Sequence, residues 1–132
     1  MIKTASSILV ALASLSLIPL LEAHHSQAPF YDADRVVEIQ GVVTRFDFIN
    51  PHPHLYVEVT DANGAKIEWA IQFPNRTNMR KRGWNADTVK PGEVLKAAGH
   101  PSRVAGTYGM QGATITREDG SILIRGSAQP PE

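Results

Sequence analysis

The sequence predicts an all-β domain of five to six strands with one short helix. Three observations predict it. After Asp34, apolar and polar residues alternate with a period of two over most of the chain. Three such runs precede a short basic segment and two or three follow it. Gly41 lies inside the first and longest run, where the long first strand of a small closed barrel has to bend.

In the first strand, Val37 and Ile39 share one face, whereas Phe46 and Phe48 have the opposite parity. A bulge at Gly41 is the expected switch of the inward face. Leu55, Val57 and Val59 alternate with Tyr56, Glu58 and Thr60 in a half-buried second strand. Asp61-Ala62-Asn63-Gly64 reads as the hairpin turn to a third strand, which sets Ile67, Trp69, Ile71 and Phe73 on one face. Residues 74–82 change character. Asn75 or Thr77 caps a short helix carrying Arg76, Met79, Arg80, Lys81 and Arg82, and Gly83 stops it. Trp84 is expected to plug an open barrel end rather than to form an exposed stacking platform.

Lys90-Pro91-Gly92-Glu93 is a turn into a strand from Val94 to Ala98 that ends at Gly99. His100 and the Thr107–Met110 stretch read as loop. A last hairpin pairs 111–117 with 121–125 through Asp119-Gly120. This order of strands and helix is that of an OB-like Greek-key β-barrel, with an open meander or a small sandwich as the alternatives. The expected organisation is a signal peptide over 1–23, an N-terminal arm over 24–35, the barrel over 36–126 and a flexible tail over 127–132.

Thirteen basic and thirteen acidic residues give a formal net charge of zero. Nucleic-acid binding, which relies on an excess of Lys and Arg, is therefore not expected. The absence of cysteine excludes disulfides, zinc–thiolate sites and thiol nucleophiles. At the start of the chain, Lys3 precedes an apolar stretch from Ala5 to Leu21, broken by Ser14, Ser16 and Pro19 and ending in Leu21-Glu22-Ala23. This is the layout of a secretory leader, with a retained membrane anchor as the competing reading. The protein is thus expected to be periplasmic or secreted. Its mature form, expected to run from His24 to Glu132, is expected to carry no membrane span.

Chemistry concentrates in the histidines. Cleavage after Ala23 makes His24 the first residue, with a terminal amine and an imidazole, and His25 follows it. In Asn50-Pro51-His52-Pro53-His54 the prolines favour an extended backbone, so His52 and His54 share the outward parity of Tyr56 and Glu58. Imidazole is the commonest neutral metal ligand, and an amine near neutral pKa deprotonates readily for a metal. His24, His25, His52 and His54 are therefore the candidate ligands of copper or another late transition metal. A flexible polar arm followed by a rigid loop is the plain alternative. Met79 reads as core packing, and neither Met110 nor His100 is assigned to the site. No G-x-S-x-G, Walker loop, H-E-x-x-H or dinucleotide fingerprint occurs, so no catalytic residue and no organic cofactor is expected. The basic run near Arg76–Arg82 leaves open a non-metal module for a protein or an anionic glycan. A copper-dependent oxidative enzyme is a third reading. The expected partners are a metal ion and a second periplasmic protein.

Ala23-His24-His25-Ser26, Gly41-x-Val43 leading to Asn50-Pro51-His52, Asp61-x-x-Gly64, Gly83-Trp84 and Pro91-Gly92-Glu93 together resemble a family of small exported bacterial proteins of unknown function. The resemblance covers nearly the whole mature chain and implies His24 as the mature N-terminus. It implies a counterpart for His52 more than for His54, and brings no activity. The layout is also similar to periplasmic OB-fold copper chaperones. Those use methionines and a tryptophan on barrel strands, a pattern this chain does not match, so that likeness is one of architecture.

Overall fold

The computed structural model describes residues 29–130. Six strands form one sheet: β1 (Val37–Asp47), β2 (His54–Thr60), β3 (Lys66–Gln72), β4 (Val94–Pro101), β5 (Gly109–Arg117) and β6 (Ile122–Ile124), with α1 (Arg76–Lys81) between β3 and β4. Their order is β3-β2-β1-β4-β5-β6, and a parallel pairing of β3 with β5 closes the first five into a barrel. This is the OB-like barrel expected from the alternation, with β6 as one extra strand.

β1 belongs to both halves of the barrel. Its first part pairs with β4, from Val37↔Gly99 to Val42↔Val94, and its second part with β2, from Val42↔Glu58 to Asp47↔His54. The inward face does switch along it, but not at Gly41. The β1–β2 register shifts between Val43 and Arg45, so Thr44 is the extra residue. Ile39 and Val43 point inward before the bulge, and Phe46 packs on the core after it. The Thr44 hydroxyl donates to Glu68 Oε2 across the sheet (2.9 Å), which holds the bulge. Gly41 serves a different need. A Cβ there would run into the Glu58 carbonyl oxygen and lie 2.9 Å from Val57 Cγ1, so only glycine lets β2 cross this closely.

The core is formed by the inward rows. Leu55 and Val57 of β2, Ile71 of β3, Leu95 and Ala97 of β4, and Met110 and Ile115 of β5 are buried together. Each large side chain among them contributes roughly 1.5–3 kcal/mol through burial. Met110, expected in a loop, lies in β5 as a core residue against Gly99, and His100, also expected in a loop, lies in β4.

One barrel end is stoppered. Asn75 caps α1 by accepting from the Asn78 amide (2.9 Å), which places Met79 inward. Gly83, at φ +85°, then reverses the chain and drops Trp84 into the opening. Trp84 is 5% exposed and meets Phe46 edge-on at 5.8 Å and Phe73 at 5.3 Å. Trp69 has core parity but is only half-buried, with its ring edge against the exposed Tyr108.

The proline-rich composition after Gly126 suggested a loose tail, yet its first residues are fastened to β5. The buried Thr114 hydroxyl donates to the Ala128 carbonyl (2.7 Å) and accepts from the Gly126 amide (3.1 Å). Ala128 is 1% exposed.

Candidate functional site at the end of the β3–β5 seam

The Asn50–Phe73 region is built by prolines and a strand end. The buried Pro53 offers its carbonyl to the Phe73 amide (3.0 Å), tying the loop before β2 to the first residue after β3. His52 on that loop places Nδ1 3.1 Å from the Phe73 carbonyl. His54 places Nδ1 3.0 Å from the His52 carbonyl, and His100 places Nδ1 2.9 Å from the Arg35 carbonyl. A carbonyl oxygen only accepts, so in all three rings Nδ1 carries the hydrogen. In the neutral imidazole, Nε2 then keeps a lone pair for a metal or a proton.

The site lies where the barrel seam ends. The parallel pairing holds Ala70, Ile71 and Gln72 against Gly109, Met110 and Gln111. Beyond Gln72, β3 turns away into α1 while β5 continues toward β6, and the gap between them is a groove. Three adjoining cavities make it up, all sharing Gln72. The first, about 390 Å³, lies between Phe30 and Tyr31 of the arm, His52, and Ser102 and Val104. The second, about 300 Å³, runs from His52 past Phe73 to Gln111, Gly112 and Ser127. The third, about 250 Å³, ends at Arg82 and Arg125. A larger hollow of about 560 Å³ lies elsewhere, against Glu93, Arg117 and Asp119. Its charges are partly consumed by the Arg117–Glu93 ion pair (3.7 Å), and no histidine lines it.

The arm is brought to this groove by specific bonds. Tyr31 bridges Ser102, the Asp32 amide donates to the Pro101 carbonyl (2.9 Å), and the Arg103 guanidinium pairs with Asp32 (3.2 Å). The Tyr31 hydroxyl donates to Gln72 Oε1 (3.2 Å). Burial raises the pKa of this phenol, so it stays a neutral donor over the ordinary pH range.

Of the histidines expected to bind metal, His52 lines the groove on both sides of Gln72. His54 stands beside it at the start of β2, opposite Gln72 of β3, with its ring stacked on Tyr56 at 6.3 Å. The Arg45 guanidinium covers the same Tyr56 ring at 3.9 Å. His54 does not line the groove itself. His24 and His25 lie outside the described residues, as does the expected leader. Among the described residues, no three His, Asp or Glu side chains come together as a metal-holding group. No helix among them is long and apolar enough to cross a membrane.

Gln72, Ser102 and Ser127 are groove residues that reasoning on the sequence missed. Gln72 has the polar parity of β3 and nothing else in the sequence distinguishes it. The other two reach the groove only through long-range pairing.

Residues 11–111 match the model of a protein family that includes the arm, His52 and Gln72. The chain belongs to DUF6152, a family of unknown function. Arg125 and Ser127, at the far end of the groove, lie beyond the matched residues. A search of curated proteins found no match.

Proposed function

We propose that this is a small exported binding protein that holds copper, or another late transition metal, through His24, His25, His52 and His54, for storage, delivery or protection. The observation that carries the reading is the anchoring of Nδ1 in His52 and His54 to backbone carbonyls, which orients both rings and leaves both Nε2 atoms available. Two features support it. His52 and His54 are two residues apart at the entry to β2, a spacing that favours side chains on one side of the chain. The arm is fastened beside His52 at Phe30 and Tyr31, and His24 is six residues before Phe30. A chain of that length spans up to about 20 Å, enough to bring the amine and imidazole of His24 to the groove. The nitrogen-only set suits copper, nickel or zinc better than calcium or magnesium.

The test is a Cu(II) titration followed by EPR on two forms, one beginning at His24 and one with a single extra residue before it. The reading predicts tighter binding and a nitrogen-rich spectrum for the first form. Equal, weak binding by both would sink the N-terminal contribution. Tight binding by both, lost in His52→Ala with His54→Ala, would confine the site to the strand-borne pair.

A further inference from the structure

The groove has a second chemical character at the end away from the arm. Arg82, just after α1, donates from Nη2 to the Arg125 carbonyl (3.1 Å), so its guanidinium is held across the gap between the helix and the end of β6. Arg125 lines the same cavity of about 250 Å³. Neither guanidinium has a carboxylate partner among the described residues. No Asp or Glu lines this cavity or the two that adjoin it.

The rest of the wall is mixed. Phe73, Pro74, Ala113 and Ile124 supply apolar surface, while Gln72 and Ser127 supply polar groups. Gly112 and Gly126 are packed too closely to carry side chains. A Cβ on Gly126 would run into the Gly112 carbonyl, and one on Gly112 into Ser127 Oγ. In a chain of zero net charge, two exposed arginines lining one cavity, with no carboxylate on its wall, make a local positive potential there. Guanidinium groups match carboxylates with paired N–H donors, and the apolar wall takes up whatever the carboxylate is attached to.

We propose that the Arg82–Arg125 end of the groove binds a small amphipathic organic acid, its carboxylate on the two arginines and its apolar body against Phe73, Pro74 and Ile124. This site stands on residues separate from the metal ligands and is independent of whether a metal is bound.

The test uses the purified protein in EDTA, so that no metal contributes, and 3-phenylpropionate as the probe. Amide shifts of Gly112, Gly126 and Ser127 should move on titration, and binding should weaken as ionic strength rises. The neutral analogue 3-phenylpropanamide should bind about tenfold more weakly, and Arg125→Gln should weaken the acid by about the same factor, the scale of a lost charge-assisted hydrogen bond. Arg80→Gln, on an exposed helix position that does not line the cavity, should change nothing. The proposal is overturned if the amide binds as well as the acid. It is equally overturned if the shifts fall elsewhere, or if Arg125→Gln binds like the parent.

Discussion

Phe73 and the preceding residue, Gln72, mark two regions of opposite design at the end of β3. Phe73 turns inward and meets Trp84 and Phe46 in an aromatic stopper, where ring packs against ring. Gln72 turns outward into a groove where hydroxyl, amide and imidazole groups stand beside open space. The stopper does its work by shape and burial alone. Backbone contacts orient His52 in the groove and His54 beside it, and among the described residues only one nitrogen of each ring is used. Function is therefore to be sought in the groove, and stability in the stopper.

Substitutions separate the two regions. Trp84→Ala should cost about 3–5 kcal/mol in urea unfolding, by opening a cavity that Phe46 and Phe73 cannot fill. Metal titration of whatever folded fraction remains should be unchanged. Thr114→Val stands between the two regions. It strips both bonds that fasten the segment after β6, and about 2 kcal/mol should be lost. Hydrogen exchange at the Ala128 amide, which donates to the Gly112 carbonyl (2.9 Å), should speed up before the barrel opens.

The smaller effects lie in the groove. His52→Ala removes one hydrogen bond on a half-buried side chain and should cost about 1 kcal/mol of stability. Its Cu(II) affinity should nevertheless fall about tenfold or more, the scale of one lost ligand. Smaller still is Tyr31→Phe. Losing the bond to Gln72 should lower stability by about 0.5–1 kcal/mol and loosen the arm, seen as faster exchange at the Asp32 amide. A stability loss at His52 that rivals Trp84→Ala would erase the distinction between the regions.

Much of the fold was legible because alternation and turn chemistry are local. The three strands before the helix, a helix cap at Asn75 or Thr77 and the Trp84 plug follow from residue spacing, and the structure chooses Asn75. The bulge was sought at Gly41 because glycine is the usual mark of a break, but it lies at Thr44, whose hydroxyl reaches a carboxylate on a strand distant in sequence. Gly41 instead answers to the approach of β2. The anchoring of Ala128 was hidden for the same reason, since the threonine that holds it is fourteen residues earlier.

The site was legible only in part. His52 and His54 could be placed on the outer face by parity. Gln72 could not be linked to them, because its bond to Tyr31 spans forty-one positions of sequence and depends on barrel closure. Arg82 and Arg125 read separately as a helix face and a strand end, and meet only through a backbone carbonyl.

The central claim, that the Nε2 atoms of His52 and His54 are held ready for a metal beside the arm, is tested most directly by long-range ¹H–¹⁵N spectra of the imidazoles in the form beginning at His24. Before metal, the neutral rings of His52 and His54 should show a protonated Nδ1 and an unprotonated Nε2. Adding Zn(II) as a diamagnetic probe should then shift the Nε2 signals of both rings together with those of His24, while the Trp84 indole stays in place. An opposite tautomer in the free protein, or Zn(II) shifts that leave His52 Nε2 untouched, would contradict the account.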